Sequence, residues 1–310
     1  MKNFNCLHVP VMMAEVVEAL SVKLDGVYVD CTFGRGGHSL LILKHLGVNG
    51  RLIALDKDLD ALNSEEAKSL SEDSRFSLIH GSFVEVQQHV ERLGLVGKIN
   101  GVLMDLGVSS PQLDEAERGF SFLRDGPLDM RMDNSKGQTA AEWLASTEEN
   151  EIVRVLQTYG EERFAKRIAK AIVEAGSIQT TRQLATLIER AIPFREKHKH
   201  PATRSFQAIR IAVNSELDEL QDGLKKTVEI LAPEGRLVVI SFHSLEDRIV
   251  KHFIREQERG KPTPTRLPVM QTHQAKLKAL GKARMPSEKE FNLNVRARSA
   301  VLRVAERVAA

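Results

Sequence analysis

Three apolar runs in this chain end in aspartate: Val27-Tyr28-Val29 before Asp30, Leu52 to Leu55 before Asp56, and Val102-Leu103-Met104 before Asp105. The first leads into CTFGRGGHS (31–39), which has glycine at 34, 36 and 37. A glycine-rich turn between a strand and a helix lets backbone approach a ligand and presents the free N–H groups of a helix start. A dinucleotide would bring an anionic pyrophosphate to that turn, where a carboxylate is unfavourable, and it calls for a third glycine where Ser39 stands. An NAD-dependent oxidoreductase is therefore disfavoured. S-Adenosylmethionine carries a sulfonium and an ammonium, and acidic side chains attract both. Asp56, after the second strand, suits the two ribose hydroxyls. Asp105, after the fourth, can face the cofactor or a substrate nitrogen beside it. The alternative for each aspartate alone is a helix cap.

The segment DLGVSSPQL (105–113) sits where amino-nitrogen methyltransferases keep the loop that grips the target base. An exocyclic amine is conjugated and a poor nucleophile. Acceptor oxygens around its N–H groups can pyramidalise it and aim the lone pair; Asp105 with Ser109 or Ser110 supplies them. Alignment at about 3 Å matters more than a strong base, and the proton can leave to water. In ISFHSLEDR (240–248), Ser244 and Asp247 fit a capping box, and His243 faces the ligand edge, to touch a base or to pack. RGFSFLRDGPLDMRM (118–132) has phenylalanines that can stack on a base and arginines, Arg131 among them, that can meet phosphate; its alternative is an ordered lid with an apolar plug. Arg163, Lys166, Arg167 and Lys170 fall on one helix face, a pattern that is more often solvated surface. HKH at 198–200 lacks acidic or cysteine neighbours, so no metal site is expected. Neither Cys6 nor Cys31 suits the nucleophile of cytosine C5 methylation.

Strand-like runs at 27–31, 51–55, 76–80 and 99–104, about 24 residues apart with helical patterns between them, predict a doubly wound, mostly parallel α/β sheet with the strand ends on one rim. The rhythm breaks at Leu113. Helices are expected at 139–146, 148–159, 162–174 and 181–191, so residues 113–204 read as a helical insert, a second and smaller domain, between sheet segments 1–112 and 205–310. A further strand is expected at 236–242 and a last one at 297–304. The 310 residues include 42% hydrophobic ones, enough for a core, and no apolar stretch is long enough to span a membrane. With two cysteines and no visible signal peptide, the chain reads as cytoplasmic with reduced thiols. Its net charge of +2 hides an asymmetry: residues 248–310 carry 15 Lys and Arg against 5 Asp and Glu. A basic end on an acidic chain points to a polyanion.

Together, HVPVMMAEVVEAL (8–20), DCTFGRGGHS (30–39), DLGVSSPQLD (105–114), RGFSF and DGPLDMRM (118–132), YGEERFAKRIAKAIV (159–173), KHPATRSFQAIRIAVNSEL (199–217), ISFHSLEDRIVK (240–251) and VRARSAVLRVAER (295–307) closely resemble the bacterial ribosomal RNA small subunit methyltransferase H family. The resemblance implies a class I S-adenosylmethionine-dependent methyltransferase, Rossmann-like, with a helical insert. It implies N4 methylation of a cytidine in the decoding region of 16S rRNA in the small ribosomal subunit. Carried over by position, the cofactor contacts are Gly36, Gly37, His38, Asp56, Phe83, Asp105 and Gln112, with Phe83 over the adenine. Arg131, His243, Arg296, Arg298 and Arg303 are candidates for RNA contact. The family's Asn-Pro-Arg is Asn294-Val295-Arg296 here, which touches only the local turn. Monomer and homodimer both stay open. The alternative is a non-catalytic nucleotide-binding RNA assembly factor.

Overall fold

In the computed structural model, residues 10–193, 200–260 and 273–309 are described. Cys6, the start of HVPVMM, most of KHKH and residues 261–272 lie outside them. The described chain forms two compact units, 1–107 with 217–310 and 108–216. No helix among the described residues is long and apolar enough to cross a membrane.

The first unit is built on seven strands: β1 (Val27–Asp30), β2 (Arg51–Asp56), β3 (Phe76–His80), β4 (Ile99–Asp105), β5 (Leu231–Ser241), β6 (Leu277–Ala279) and β7 (Val301–Arg307). Their order is β3-β2-β1-β4-β5-β7-β6, with β1 to β5 parallel and β7 antiparallel to both its neighbours. This is the doubly wound sheet expected, closed by an antiparallel pair. Alternate residues go to opposite faces. Leu52, Ala54, Leu103, Val238 and Ile240 join one apolar cluster, while Ile53, Leu55, Val102, Met104, Leu237 and Val239 join another. Both faces are buried, which is why these strands read as continuous apolar runs.

Three departures from expectation have local causes. β5 starts at Leu231, ahead of the expected 236, because the ladder with β4 slips between Ile99 and Gly101, where Glu234 has φ 62°. The last strand runs 301–307, not 297–304: Asn294 accepts from the N–H of Arg296 and starts a 3-10 turn over Val295–Ser299. β6 has only three residues, too few for periodicity to reveal.

The second unit is helical: Ala140–Ser146, Glu149–Gly160, Ala165–Ala175, Thr181–Ala191 and Thr203–Asn214 surround a core of Ile152, Leu156, Ile168, Ile172, Leu184, Ile188 and Phe206. The first four match the expected helices closely. The sequence places the return to the sheet at 205, yet helix Thr203–Asn214 lies in this unit. A Cβ on Gly160 would lie 2.8 Å from the Arg204 carbonyl and 3.2 Å from Ala208, so this glycine lets the two helices meet closely.

Candidate active site

All three aspartates stand at the carboxyl ends of adjacent parallel strands, but they have different duties. Asp30 is fully buried. Its Oδ2 accepts from the Ser39 hydroxyl at 2.7 Å, and its Oδ1 accepts from the Thr32 N–H at 3.1 Å. Burial raises its carboxyl above the usual range, against the hydrogen bonds that favour the ion. Asp30 therefore braces the glycine turn internally. Asp56 grips the same turn from β2. Its Oδ2 accepts from the Gly34 N–H at 2.7 Å and its Oδ1 from the Asp58 N–H at 2.9 Å. Burial pushes its carboxyl up to about 6. Each oxygen of a carboxylate accepts twice, and Asp56, unlike the fully buried Asp30, is only half-buried, so a ligand can reach its remaining acceptor capacity.

The turn so held is a cradle. Gly36 has φ 70°, and a Cβ there would lie 2.8 Å from the Phe33 ring and 2.7 Å from Leu70. A Cβ on Gly37 would sit 2.1 Å from Pro10. Gly36 caps helix Gly37–His45, whose first N–H groups have no partner inside the helix. Its second residue is His38, 5% exposed. His38 Nε2 lies 3.6 Å from Asp105 Oδ2, too far for a hydrogen bond but close enough for an ion pair. Burial opposes charge on this imidazole. Asp105, aided by Asp30 and Glu290, outweighs it and raises the pKa above its ordinary value. Both ring nitrogens of His38 and Oδ1 of Asp105 are buried without a hydrogen-bond partner. Such orphans are rare in finished folds and point to a missing polar group. A zwitterionic, hydroxyl-bearing cofactor fits this donor and acceptor set.

Two supports had no local sequence signal. Thr32 Oγ1 accepts from the Asp105 N–H at 2.7 Å, tying the β1 turn to the end of β4. Glu219 Oε2 accepts from Lys57 Nζ and from Ser82 Oγ, both at 2.8 Å, and so joins the turns after β2 and β3. Ser82 caps the 3-10 turn Phe83–Glu85 in a box with Glu85. The Phe83 ring packs where a Cβ on Gly223 would come within 2.5 Å. One side of the ring thus meets a helix.

Ser109, Ser110 and Gln112 open the second unit. Ser109 and Gln112 form a reciprocal capping box on helix Ser110–Asp114, and Ser110 is half-buried at its first position. In the 118–132 segment the rings turn inward: Phe120 is buried, and Phe122 stacks on His200 at 4.3 Å and meets Phe206 edge-on. The plug alternative thus prevails over base stacking. Arg131 is clamped by Asp129 through Nε and a terminal nitrogen, both at 2.8 Å.

The capping box of helix Ser244–Arg259 is His243 with Glu246, one residue earlier than the expected Ser244 with Asp247. His243 Nδ1 accepts from the Glu246 N–H, so this ring is a cap. Asp247, released from that duty, holds Arg303 at 2.6 and 3.0 Å. Arg303 is thereby committed within the fold. Arg296 and Arg298 are exposed, with the Arg298 guanidinium 5.8 Å from the Phe291 ring centroid. Cys31 is buried, and burial raises its thiol well above the usual range, which removes it as a nucleophile.

Comparison with known proteins identifies the family of this chain. A protein named ribosomal RNA small subunit methyltransferase H from Alteromonas mediterranea is 58% identical over 307 residues, 97% of each chain. One of the same name from Shewanella baltica is 56% identical over 97% of each. Among solved structures, an rRNA methylase from Streptococcus thermophilus aligns over 97% of this chain and 99% of that one at 12% identity, with TM-score 0.43. The family model described as the MraW methylase family matches residues 5–308, essentially end to end. A chain so matched, on a sheet of this order, belongs to the MraW methylase family and is a class I methyltransferase with S-adenosylmethionine as its cofactor.

Proposed function

We propose that this protein methylates the N4 amine of a cytidine in the decoding region of 16S rRNA in the small ribosomal subunit. The observation that carries the proposal is the unpartnered oxygen of Asp105, which leads into DLGVSSPQ, in a chain 58% identical to a named ribosomal RNA small subunit methyltransferase. Bound S-adenosylmethionine supplies an electrophilic methyl group. The residues of this chain do the rest by position. Gly36, Gly37 and His38 receive the methionine end at the helix start, and Asp56 accepts from the ribose hydroxyls. Phe83 covers the adenine, with Gln112 at the start of the next segment. Asp105 Oδ1 accepts from the amine and so aims its lone pair, while Ser109 caps the helix that follows in the chain. No strong base is required, because methyl transfer leaves a neutral thioether and a cationic ammonium on the base, and that ammonium is acidic enough to lose its proton to water. A ribosomal substrate places the enzyme in the cytoplasm. The helical unit, residues 108–216, acts as the substrate-recognition insert, and exposed Arg296 and Arg298 contribute RNA contacts.

Mass spectrometry of rRNA nucleosides from cells with and without the gene tests the assignment. Loss of one N4-methylcytidine-type nucleoside is the expected result; an unchanged profile overturns it. A non-catalytic assembly factor would transfer no tritiated methyl group to small subunits.

A further inference from the structure

Charge in the second unit is balanced overall: between 108 and 216, sixteen Lys and Arg match sixteen Asp and Glu. Most of the described cations there are used internally. Asp129 holds Arg131, Asp133 holds Lys136, Glu151 holds Arg154, Asp125 holds Arg182 and Glu216 holds Arg210. Helix Ala165–Ala175 and the turn before it break that pattern. Ala165, Ile168, Ala169 and Ile172 are buried, so the opposite face presents Lys166, Arg167 and Lys170 to solvent, with Arg163 one turn earlier. Among the described residues, Arg163, Lys166 and Arg167 have no ion pair, and Lys170 has one to exposed Glu174 at 3.7 Å, the same separation as Arg182 from Asp125.

Glu162, next to Arg163, does not relieve this concentration of charge. Glu162 is buried, and its carboxylate turns back to accept from the Phe164 N–H at 3.0 Å. The first turn of the helix contains no acid. Cations near a helix amino end are mildly destabilising because they add to the positive pole of the macrodipole. In a unit that ties down most of its other described cations, these four clustered cations bear that cost together. Such a surface becomes favourable when an extended anion lies along it. From 163 to 170 the stripe runs about 10 Å at 1.5 Å per residue, which suits a run of consecutive charges better than a single small anion.

We infer that Arg163, Lys166, Arg167 and Lys170 form a docking surface for the sugar–phosphate backbone of RNA, separate from the residues that handle the methyl group. The identification of the polyanion as ribosomal RNA rests on the function proposed above. Such a contact reads no sequence. It fixes register and supplies salt-dependent affinity.

The test compares the full-length wild type with K166A/R167A/K170A and with a control, K136A/R154A/R182A, which removes three cations of the same unit that already have partners. Binding to purified small subunits is measured over a series of KCl concentrations, with melting temperature and S-adenosylmethionine affinity recorded for each protein. The stripe variant should bind at least tenfold more weakly at low salt. Its log–log salt slope should be shallower by about 2 to 3, since each phosphate contact contributes about 0.7 to 0.9. Cofactor affinity and melting should be unchanged, and the control should keep the wild-type slope. An unchanged slope in the stripe variant overturns the inference, and so does an equal change in the control. If the slope change appears on subunits but not on naked 16S rRNA, the partner is an acidic ribosomal protein and the RNA assignment fails. Should the wild type bind steeply yet transfer no methyl group, the proposed function falls while the docking surface stands.

Discussion

The ends of β1 and β4 lie side by side on one rim and carry the same side chain, yet they differ in a way that separates scaffold from site. At the end of β1, the oxygens of Asp30 are taken by Ser39 and Thr32 in a fully buried setting. At the end of β4, Asp105 keeps one oxygen without a partner beside a histidine whose two ring nitrogens also have none. Asp56 stands between them in kind: it holds the turn through Gly34 and Asp58, yet it is only half-buried, so a ligand can still reach its oxygens. An acid whose donors all come from its own chain stabilises a shape. One that is short of donors in a buried place is waiting for a ligand.

This contrast can be broken experimentally. Asp105→Asn should reduce methyl transfer by roughly a hundredfold or more, because it puts donor atoms where an acceptor is needed, with little change in melting. Near-normal turnover would remove Asp105 from the chemistry. Asp30→Ala should do the reverse: stability falls by about 2–3 kcal/mol as Ser39 and Thr32 lose their buried partner. Chemical denaturation reads this, and a fall in turnover without loss of stability would make Asp30 part of the site. Asp56→Ala should weaken S-adenosylmethionine binding by roughly 1–3 kcal/mol; calorimetry showing unchanged affinity contradicts its ribose role. The smallest effect concerns pH. Burial puts the folded Asp56 carboxyl at about 6, above its unfolded value near 3.9. The folded state therefore binds the extra proton, and the contribution of Asp56 to stability is lost as pH rises from about 4 through 6. Cofactor affinity runs the other way, since hydroxyls prefer the ionised acceptor, and should fall as pH drops below about 6. Asp56→Asn should flatten both dependences; a cofactor pH profile identical to the wild type would assign the titration to another group.

The cationic regions teach a parallel lesson. Arg303 and the Arg163–Lys170 stripe look alike as letters in a basic context. In the fold, Asp247 takes Arg303, from 56 residues away in sequence, while the stripe keeps its charge for solvent or a partner. Likewise, the capping box near 244 is legible as a pattern, but its register is not: His243 does the work usually given to serine, and only the position of the strand end decides which residue comes first.

From its own sequence, the chain declares four parallel strands, their shared rim, the glycine turn and the helical insert, because these follow from periodicity and from backbone freedom at glycine, both local properties. Tertiary structure alone decides which polar groups are already satisfied. Glu219 reaches Lys57 across 162 positions, Thr32 reaches the backbone of Asp105 across 73, and Gly223 makes room for Phe83. Hydrogen-bond satisfaction is a count of donors and acceptors within about 3 Å. No linear pattern can perform that count, because the partners meet only after the sheet has formed.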